Sequence, residues 1–243
     1  MAKERKVPAL YNSAKFCGGC GHGVLTRIIC ECLEEFGLDR KTICVAGVGC
    51  SCHLKTAINC DLIQSAHGRA AAVATGVRRA EKELFVFAYQ GDGDAYNIGL
   101  AETLNAAYRN ENICVFVVNN NNFGMTGGQM SWTTMPGQIT ATSPKGRDTV
   151  LTGEPIKVPE MIASSFNPAY VARGAITTPA EINKLKGYIR QAFEAQIAHE
   201  GYSLIEVLSS CPTNWGMSPE KANRHIAENI VGYYQLGEIK KRS

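Results

Sequence analysis

Two short runs of the chain, residues 84–89 and 113–118, are almost wholly apolar and stop abruptly in polar turn residues. Runs this short, rich in β-branched and aromatic side chains, predict strands buried on both faces. Residues 94–109 between them are rich in Ala, Leu and Glu, which predicts a helix and a strand–helix–strand unit with its two strands parallel. Upstream, Val24, Leu25, Ile28, Ile29, Cys32, Leu33 and Phe36 recur at helical spacing, with Gly37 as a stop. Residues 42–46 then read as a strand and 61–65 as an edge strand, and His67-Gly68-Arg69 opens an Ala-rich helix to about Ala80. Thr178, Pro179 and Glu181 form a capping box ahead of Ile182, Leu185, Ile189 and Phe193, and Gly201 closes that helix. A last strand over 203–208, a capped helix from Ser218-Pro219 and a trailing segment 233–239 complete the chain.

Strands and helices alternate without a repeat or a linker. The expectation is an α/β fold in three layers: one mostly parallel sheet with helices on both faces. Residues 1–243 form a single domain on this reading, with an N-terminal arm over 1–15, a long loop over 123–157 and a C-terminal extension. A loop of that length inside a compact domain is expected to be a lid or an interface.

Ligands of parallel sheets bind beyond the carboxyl ends of the strands, and the polar clusters fall there. Gly91-Asp92-Gly93-Asp94 follows one buried run; Asn119 to Asn122, then Phe123-Gly124-Met125-Thr126-Gly127-Gly128-Gln129, follows the other. A lone Gly-Asp-Gly is usually just a turn. A carboxylate, an amide oxygen and a main-chain carbonyl beside diphosphate oxygens, however, make a suitable shell for Mg²⁺. Two cysteines, Cys50 and Cys211, also lie at strand ends, and Cys17 and Cys20 form a glycine-rich pair before the first helix. Four thiols from three segments suit a [4Fe–4S] cluster or tetrahedral Zn²⁺, and the pair alone also fits dithiol redox chemistry. Cys52 is a rival for Cys50. His67 and Arg69 at a helix start can meet an anion, or simply cap the helix and face solvent.

Composition narrows the classes. Of 243 residues 45% are hydrophobic, ample for a core, and a net charge of +3 with only the short Lys240-Lys241-Arg242 block gives no case for nucleic acid. That basic tail reads as a solvated terminus. No apolar stretch approaches a membrane span, and residues 1–7 are charged and lack the apolar centre of a signal peptide, so a cytoplasmic protein is expected. Ten cysteines in a reducing compartment then point to metal or redox chemistry.

The GDGD turn, the Asn-rich strand end and the TGGQ stretch together resemble the thiamine-diphosphate-binding β subunit of 2-oxoacid:ferredoxin oxidoreductases, over nearly the whole chain. The resemblance implies the three-layer thiamine-diphosphate-binding fold. It implies Mg²⁺ on Asp92, the Asn120 side chain and the Asn122 carbonyl, and a [4Fe–4S] cluster on Cys17, Cys20, Cys50 and Cys211. Gly91, Gly93, Phe123, Gly124 and Thr126 would cradle the diphosphate and thiazolium, with Gly49, Ser51, His67, Gly68 and Arg69 around the cofactor and substrate. His67 and Arg69 are the candidate catalytic residues. Some relatives carry Lys where this chain has Gly127, which leaves the substrate carboxylate to Arg69 or a partner subunit. The activity implied is CoA-dependent oxidative decarboxylation of a 2-oxoacid, 2-oxoglutarate or branched-chain, to acyl-CoA and CO₂ with electrons passed to ferredoxin. The activating Glu would come from a pyrimidine-binding α subunit, with γ and ferredoxin-like δ chains completing the enzyme. The rival classes are a non-oxidative thiamine-dependent decarboxylase or carboligase holding a structural zinc, and a non-catalytic metal-bound binding module.

Overall fold

Short, fully buried strands need partners on every side, and the computed structural model, which describes residues 6–13 and 15–242, supplies them in one sheet. The strands are β1 (Thr42–Ala46), β2 (Asp61–Gln64), β3 (Phe85–Gly91), β4 (Cys114–Asn119), the short pair β5 (Asn122–Phe123) and β6 (Gln129–Met130), β7 (Tyr170–Ala175), β8 (Ser203–Leu208) and β9 (Gly237–Lys240). The helices are α1 (His22–Glu35), α2 (Leu54–Ala57), α3 (Ala70–Ala80), α4 (Leu100–Tyr108), α5 (Thr149–Thr152), α6 (Val158–Ser165), α7 (Pro179–Ile197), α8 (Pro212–Trp215) and α9 (Pro219–His225). Among the described residues the main sheet has seven strands in the order β2-β1-β3-β4-β8-β7-β9. All pairs are parallel except β7 with β9.

Side chains alternate across this sheet, as the pleat demands. Phe85, Phe87, Tyr89, Phe116 and Val118 join Leu25, Ile29, Leu185, Ile189 and Phe193 of α1 and α7 on one face. Val86, Ala88, Val115 and Val117 join Ala71, Ala74, Ala107 and Ile162 of α3, α4 and α6 on the other. Each such aliphatic or aromatic side chain contributes about 1.5–3 kcal/mol by leaving water, so both faces of the central strands are held. The chain runs from β1 outward to β2 and returns across α3 to β3 on the opposite side of β1. The loops after β1 and β3 therefore diverge, and a crevice opens between them.

Several elements differ from the sequence reading. The turn after β3 is first π-helical, over Gly93–Ile98, and only then α-helical. Strand β7 lies where no strand was expected, because its pattern is interrupted by Arg173. That residue is fully buried, pairing with the buried Glu206 of β8 and bonding Glu160 of α6 at 2.6 and 2.7 Å. The segment 123–157 is neither a bare lid nor structureless: it holds β5, β6 and α5, and Arg147 bonds its carbonyls from inside. The end of the chain does not trail away, since Tyr234 is fully buried and β9 closes the sheet edge. Nor is the basic tail simply solvated, because Arg242 forks onto Glu200 at 2.7 and 2.8 Å. The expected arm over 1–15 lies partly outside the described residues.

Candidate functional site

Asp92 directly follows β3, buried (1% exposed) in the lining of the crevice. Ser131 donates to Asp92 Oδ2 at 2.7 Å, and Thr133 donates to the same oxygen. Burial raises the carboxyl to about 6 against the lowering effect of these bonds. The other oxygen, Oδ1, looks toward β4. There Asn119 Oδ1 accepts the Asn121 N–H at 3.2 Å, and Asn121 takes a left-handed φ of 57°, which Asn tolerates. That kink turns its two neighbours inward. With its amide oxygen inward, Asn120 stands 2.8 Å from the Asn122 carbonyl and 3.2 Å from Asp92 Oδ1; with the amide reversed, its NH₂ donates to both. The first arrangement is a convergence of three oxygens without a donor, which is what a hard cation requires. The second neutralises the same oxygens without one. The donor set therefore fits Mg²⁺.

Asp94 is also buried and draws three loops to this floor. Its Oδ1 accepts the main-chain N–H of Gly68 at 2.8 Å and of Val48 at 3.3 Å and lies against His67 Nδ1. Its Oδ2 meets Gln90 and crowds Gly47, where a Cβ would have no room. Gly93 is likewise obligatory, because a Cβ would stand 2.5 Å from the Phe123 ring. The glycines thus let main chain and ring close to contact around the carboxylates, forming a cradle for a ligand that presses on backbone.

The thiols adjoin this floor. Cys17 and Cys20 belong to one turn, with the Cys20 N–H on the Cys17 carbonyl at 3.1 Å. That turn is stitched to the end of β8: Gly21 N–H donates to Ser209 Oγ at 3.1 Å, and Ser210 Oγ donates to the Gly19 carbonyl at 2.8 Å. Cys211 follows directly. Burial raises the Cys50 thiol to about 12, with Cys20, Cys211, Cys17 and Asp92 as the neighbouring charges that add to it. Burial likewise raises Cys20 to about 11 and Cys211 in the same direction. The four sulfurs are thus electrostatic neighbours of one another and of the Asp92 site. The Cys52 thiol donates to the Gly47 carbonyl at 3.7 Å.

Of the other residues singled out from sequence, Gly49, Cys50, His67, Gly91, Asp92, Gly93, Asn120, Asn122, Phe123, Gly124 and Thr126 line the crevice. Gly68 reaches it through Asp94. Ser51 is buried behind the lining, its hydroxyl unpartnered. Arg69 is not brought in: it pairs with Glu102 of α4 at the surface. Gly127 has a φ of 108°, so a side chain there would be strained.

Sequence reasoning passed over four residues. Ser131 and Thr133 hold Asp92 from a distant loop. Asn214 donates to the Gly124 carbonyl at 2.8 Å and to the Cys211 sulfur at 3.3 Å, tying cradle to thiols. His22, buried and bordering the crevice with Cys50, bonds Tyr89 through Nδ1 at 2.8 Å, and burial lowers its imidazole to about 4. Only His22 carried a signal, its place inside the Cys-Gly-Gly-Cys-Gly-His-Gly stretch.

Residues 47–207 match the family of the C-terminal TPP-binding domain of thiamine pyrophosphate enzymes. The chain is 40% identical over 240 residues to the ketoisovalerate oxidoreductase subunit VorA of Methanothermobacter thermautotrophicus, covering 99% of this chain and 50% of that one. It is 35% identical over 216 residues to the 2-oxoglutarate synthase subunit KorB of Archaeoglobus fulgidus, covering 88% and 76%. The chain thus spans about half the length of the VorA relative and three quarters of KorB. A solved 2-oxoglutarate:ferredoxin oxidoreductase from Magnetococcus marinus, with 2-oxoglutarate, coenzyme A and succinyl-CoA bound, superposes with a TM-score of 0.73. Its sequence is 27% identical, over 87% of this chain and 69% of that one.

Proposed function

The chain belongs to the thiamine-diphosphate-binding β subunits of the 2-oxoacid:ferredoxin oxidoreductases, and on that premise we propose that it holds Mg²⁺–thiamine diphosphate and a [4Fe–4S] cluster for CoA-dependent oxidative decarboxylation of a 2-oxoacid. One observation carries the reading: the inward oxygens of Asp92, Asn120 and Asn122 and the Cys50 thiol line one crevice, and Cys17, Cys20 and Cys211 are electrostatic neighbours of Cys50. When bound, thiamine diphosphate supplies the electron sink for loss of CO₂, and the cluster supplies a one-electron path toward ferredoxin.

The chain's own residues hold and exclude. Asp92, Asn120 and the Asn122 carbonyl are the Mg²⁺ ligands, with Ser131 and Thr133 fixing the Asp92 carboxylate from behind. Gly91, Gly93, Phe123, Gly124 and Thr126 form the diphosphate and thiazolium cradle. His67, oriented by Asp94 and set edge-on to Phe123 with ring centroids 6.3 Å apart, lines the same crevice. Among the described residues the carboxylates lining the crevice are Asp92 and Asp94, both committed, which supports an activating Glu from a partner α subunit. Exposed Ile98, Met125 and Trp132 near the crevice give such a partner an apolar landing. Branched-chain 2-oxoacids are the first substrates to test, given the greater likeness to the ketoisovalerate subunit, with 2-oxoglutarate next. Residues 1–243 act on this reading as one thiamine-diphosphate-binding domain. No helix among the described residues is long and apolar enough to cross a membrane.

A zinc knot fits less well. A tetrahedral ion with Zn–S bonds of about 2.3 Å brings its sulfurs within roughly 4 Å of each other. Among the described residues no three His, Cys, Asp or Glu side chains converge as a single ion requires. The test is to co-produce the chain with its partner subunits, purify without oxygen, and measure iron, sulfide, zinc and CoA-dependent dye reduction across a panel of 2-oxoacids. Brown protein with iron, sulfide and activity is expected. Colourless, zinc-loaded protein would overturn the reading.

A further inference from the structure

His22 opens α1 two positions after Cys20. Its ring is buried, borders the crevice beside Cys50 and is stacked by Phe16 with centroids 5.1 Å apart. Nδ1 lies 2.8 Å from the hydroxyl of Tyr89, itself fully buried on β3, whereas Nε2 is buried with no partner. The direction of the Tyr89 bond settles which nitrogen carries the hydrogen. Where the phenol donates to Nδ1, a stronger base than the Thr26 hydroxyl whose own proton is on the His22 carbonyl at 2.8 Å, the hydrogen of the imidazole sits on Nε2. A buried N–H without an acceptor is costly unless a ligand supplies one, and the ring shares the crevice lining with Cys50.

We propose that His22 Nε2–H donates a hydrogen bond to sulfur of the iron–sulfur group held by Cys17, Cys20, Cys50 and Cys211, and that Tyr89 is the positioning residue that fixes its tautomer. This rests on the reading of those four thiols as a cluster site. Reduction places extra negative charge on the sulfurs, so a donor stabilises the reduced form more than the oxidised one. His22 thereby raises the potential of the centre and makes it a readier electron acceptor beside the thiamine site.

The experiment uses the complex co-produced with its partner subunits and purified without oxygen, with wild type, His22→Leu, His22→Gln and Tyr89→Phe compared by EPR-monitored redox titration, iron content and thiamine diphosphate affinity. His22→Leu is expected to keep its iron and shift to a more negative potential. His22→Gln, whose amide can still donate, should recover most of that shift, and Tyr89→Phe should fall between. An iron-replete His22→Leu complex with the wild-type potential overturns the inference. So does a loss of thiamine diphosphate affinity at unchanged potential, which would put the donor on the diphosphate. Should His22→Leu shed its iron, Tyr89→Phe decides, and an unmoved potential there counts against the inference. Wild-type complex without iron would instead bring down the reading of the thiols themselves.

Discussion

Asp94 Oδ1 and the main-chain N–H of Gly68 meet at 2.8 Å, joining the turn after β3 to the loop after β2. The same oxygen takes the Val48 N–H, so one buried carboxylate ties together three strand ends that are far apart in sequence. Asp94→Ala should therefore cost about 1–3 kcal/mol for each buried donor left without an acceptor, and Asp94→Asn, which keeps one oxygen, should cost less. Urea unfolding of both variants checks this. An alanine variant as stable as wild type would show the tie to be idle.

Asp92→Ala should abolish Mg²⁺-dependent binding of thiamine diphosphate while leaving iron content unchanged. Thr133→Val, which removes a partner of the carboxylate and no ligand, should weaken that binding by roughly 10–100-fold. Calorimetric titration of the anaerobic complex measures both. Loss of iron with retained cofactor binding would contradict the assignment.

Gly93→Ala places a methyl group 2.5 Å from the Phe123 ring. The ring must move, at about 1–3 kcal/mol for the overpacking, and the cradle it forms should open. Thiamine diphosphate affinity should fall with it, and unchanged affinity would remove Phe123 from the cradle.

Cys211→Ala should empty the complex of iron, whereas Cys52→Ala should keep it, since the Cys52 thiol is engaged with the Gly47 carbonyl. Iron and sulfide assays separate the two. The reverse pattern would make Cys52 the fourth ligand.

Arg173 and Glu206 are both fully buried. Glu206 also accepts from Asn119 at 3.2 Å, at the root of the Asn119–Asn122 turn. Arg173→Met alone strands Glu206 and should cost about 3–5 kcal/mol. The double change Arg173→Met, Glu206→Met should recover much of that stability. Equal destabilisation of the single and double variants in urea would argue against the pair.

The parts of the chain legible before folding were those written in local pattern. The buried runs before Asp92 and Asn119 declared themselves because parallel strands covered on both faces need no alternation, and the glycines of the GDGD turn marked a close backbone approach. Strand β7 was opaque, because Arg173 looks like a break until Glu206 and Glu160, on other elements, neutralise it. Ser131, Thr133 and Asn214 were opaque for a related reason. Each acts through one hydrogen bond across the fold, and a single Ser, Thr or Asn in a loop leaves no periodic trace. Arg69 misled in the opposite sense: its place at the head of α3 suggested an anion contact, but Glu102 on the neighbouring helix claims it.

The stitch between Ser210 and the Gly19 carbonyl spans 191 positions of sequence. During translation, the turn bearing Cys17 and Cys20 leaves the ribosome long before Cys211 does. Any centre that needs all four sulfurs must wait until the nascent chain has been synthesised almost to its β9 edge. If the four thiols hold the proposed cluster, delivery of iron and sulfide has to follow synthesis rather than accompany it, and a truncation before β8 would yield a polypeptide able to offer three sulfurs but never the fourth.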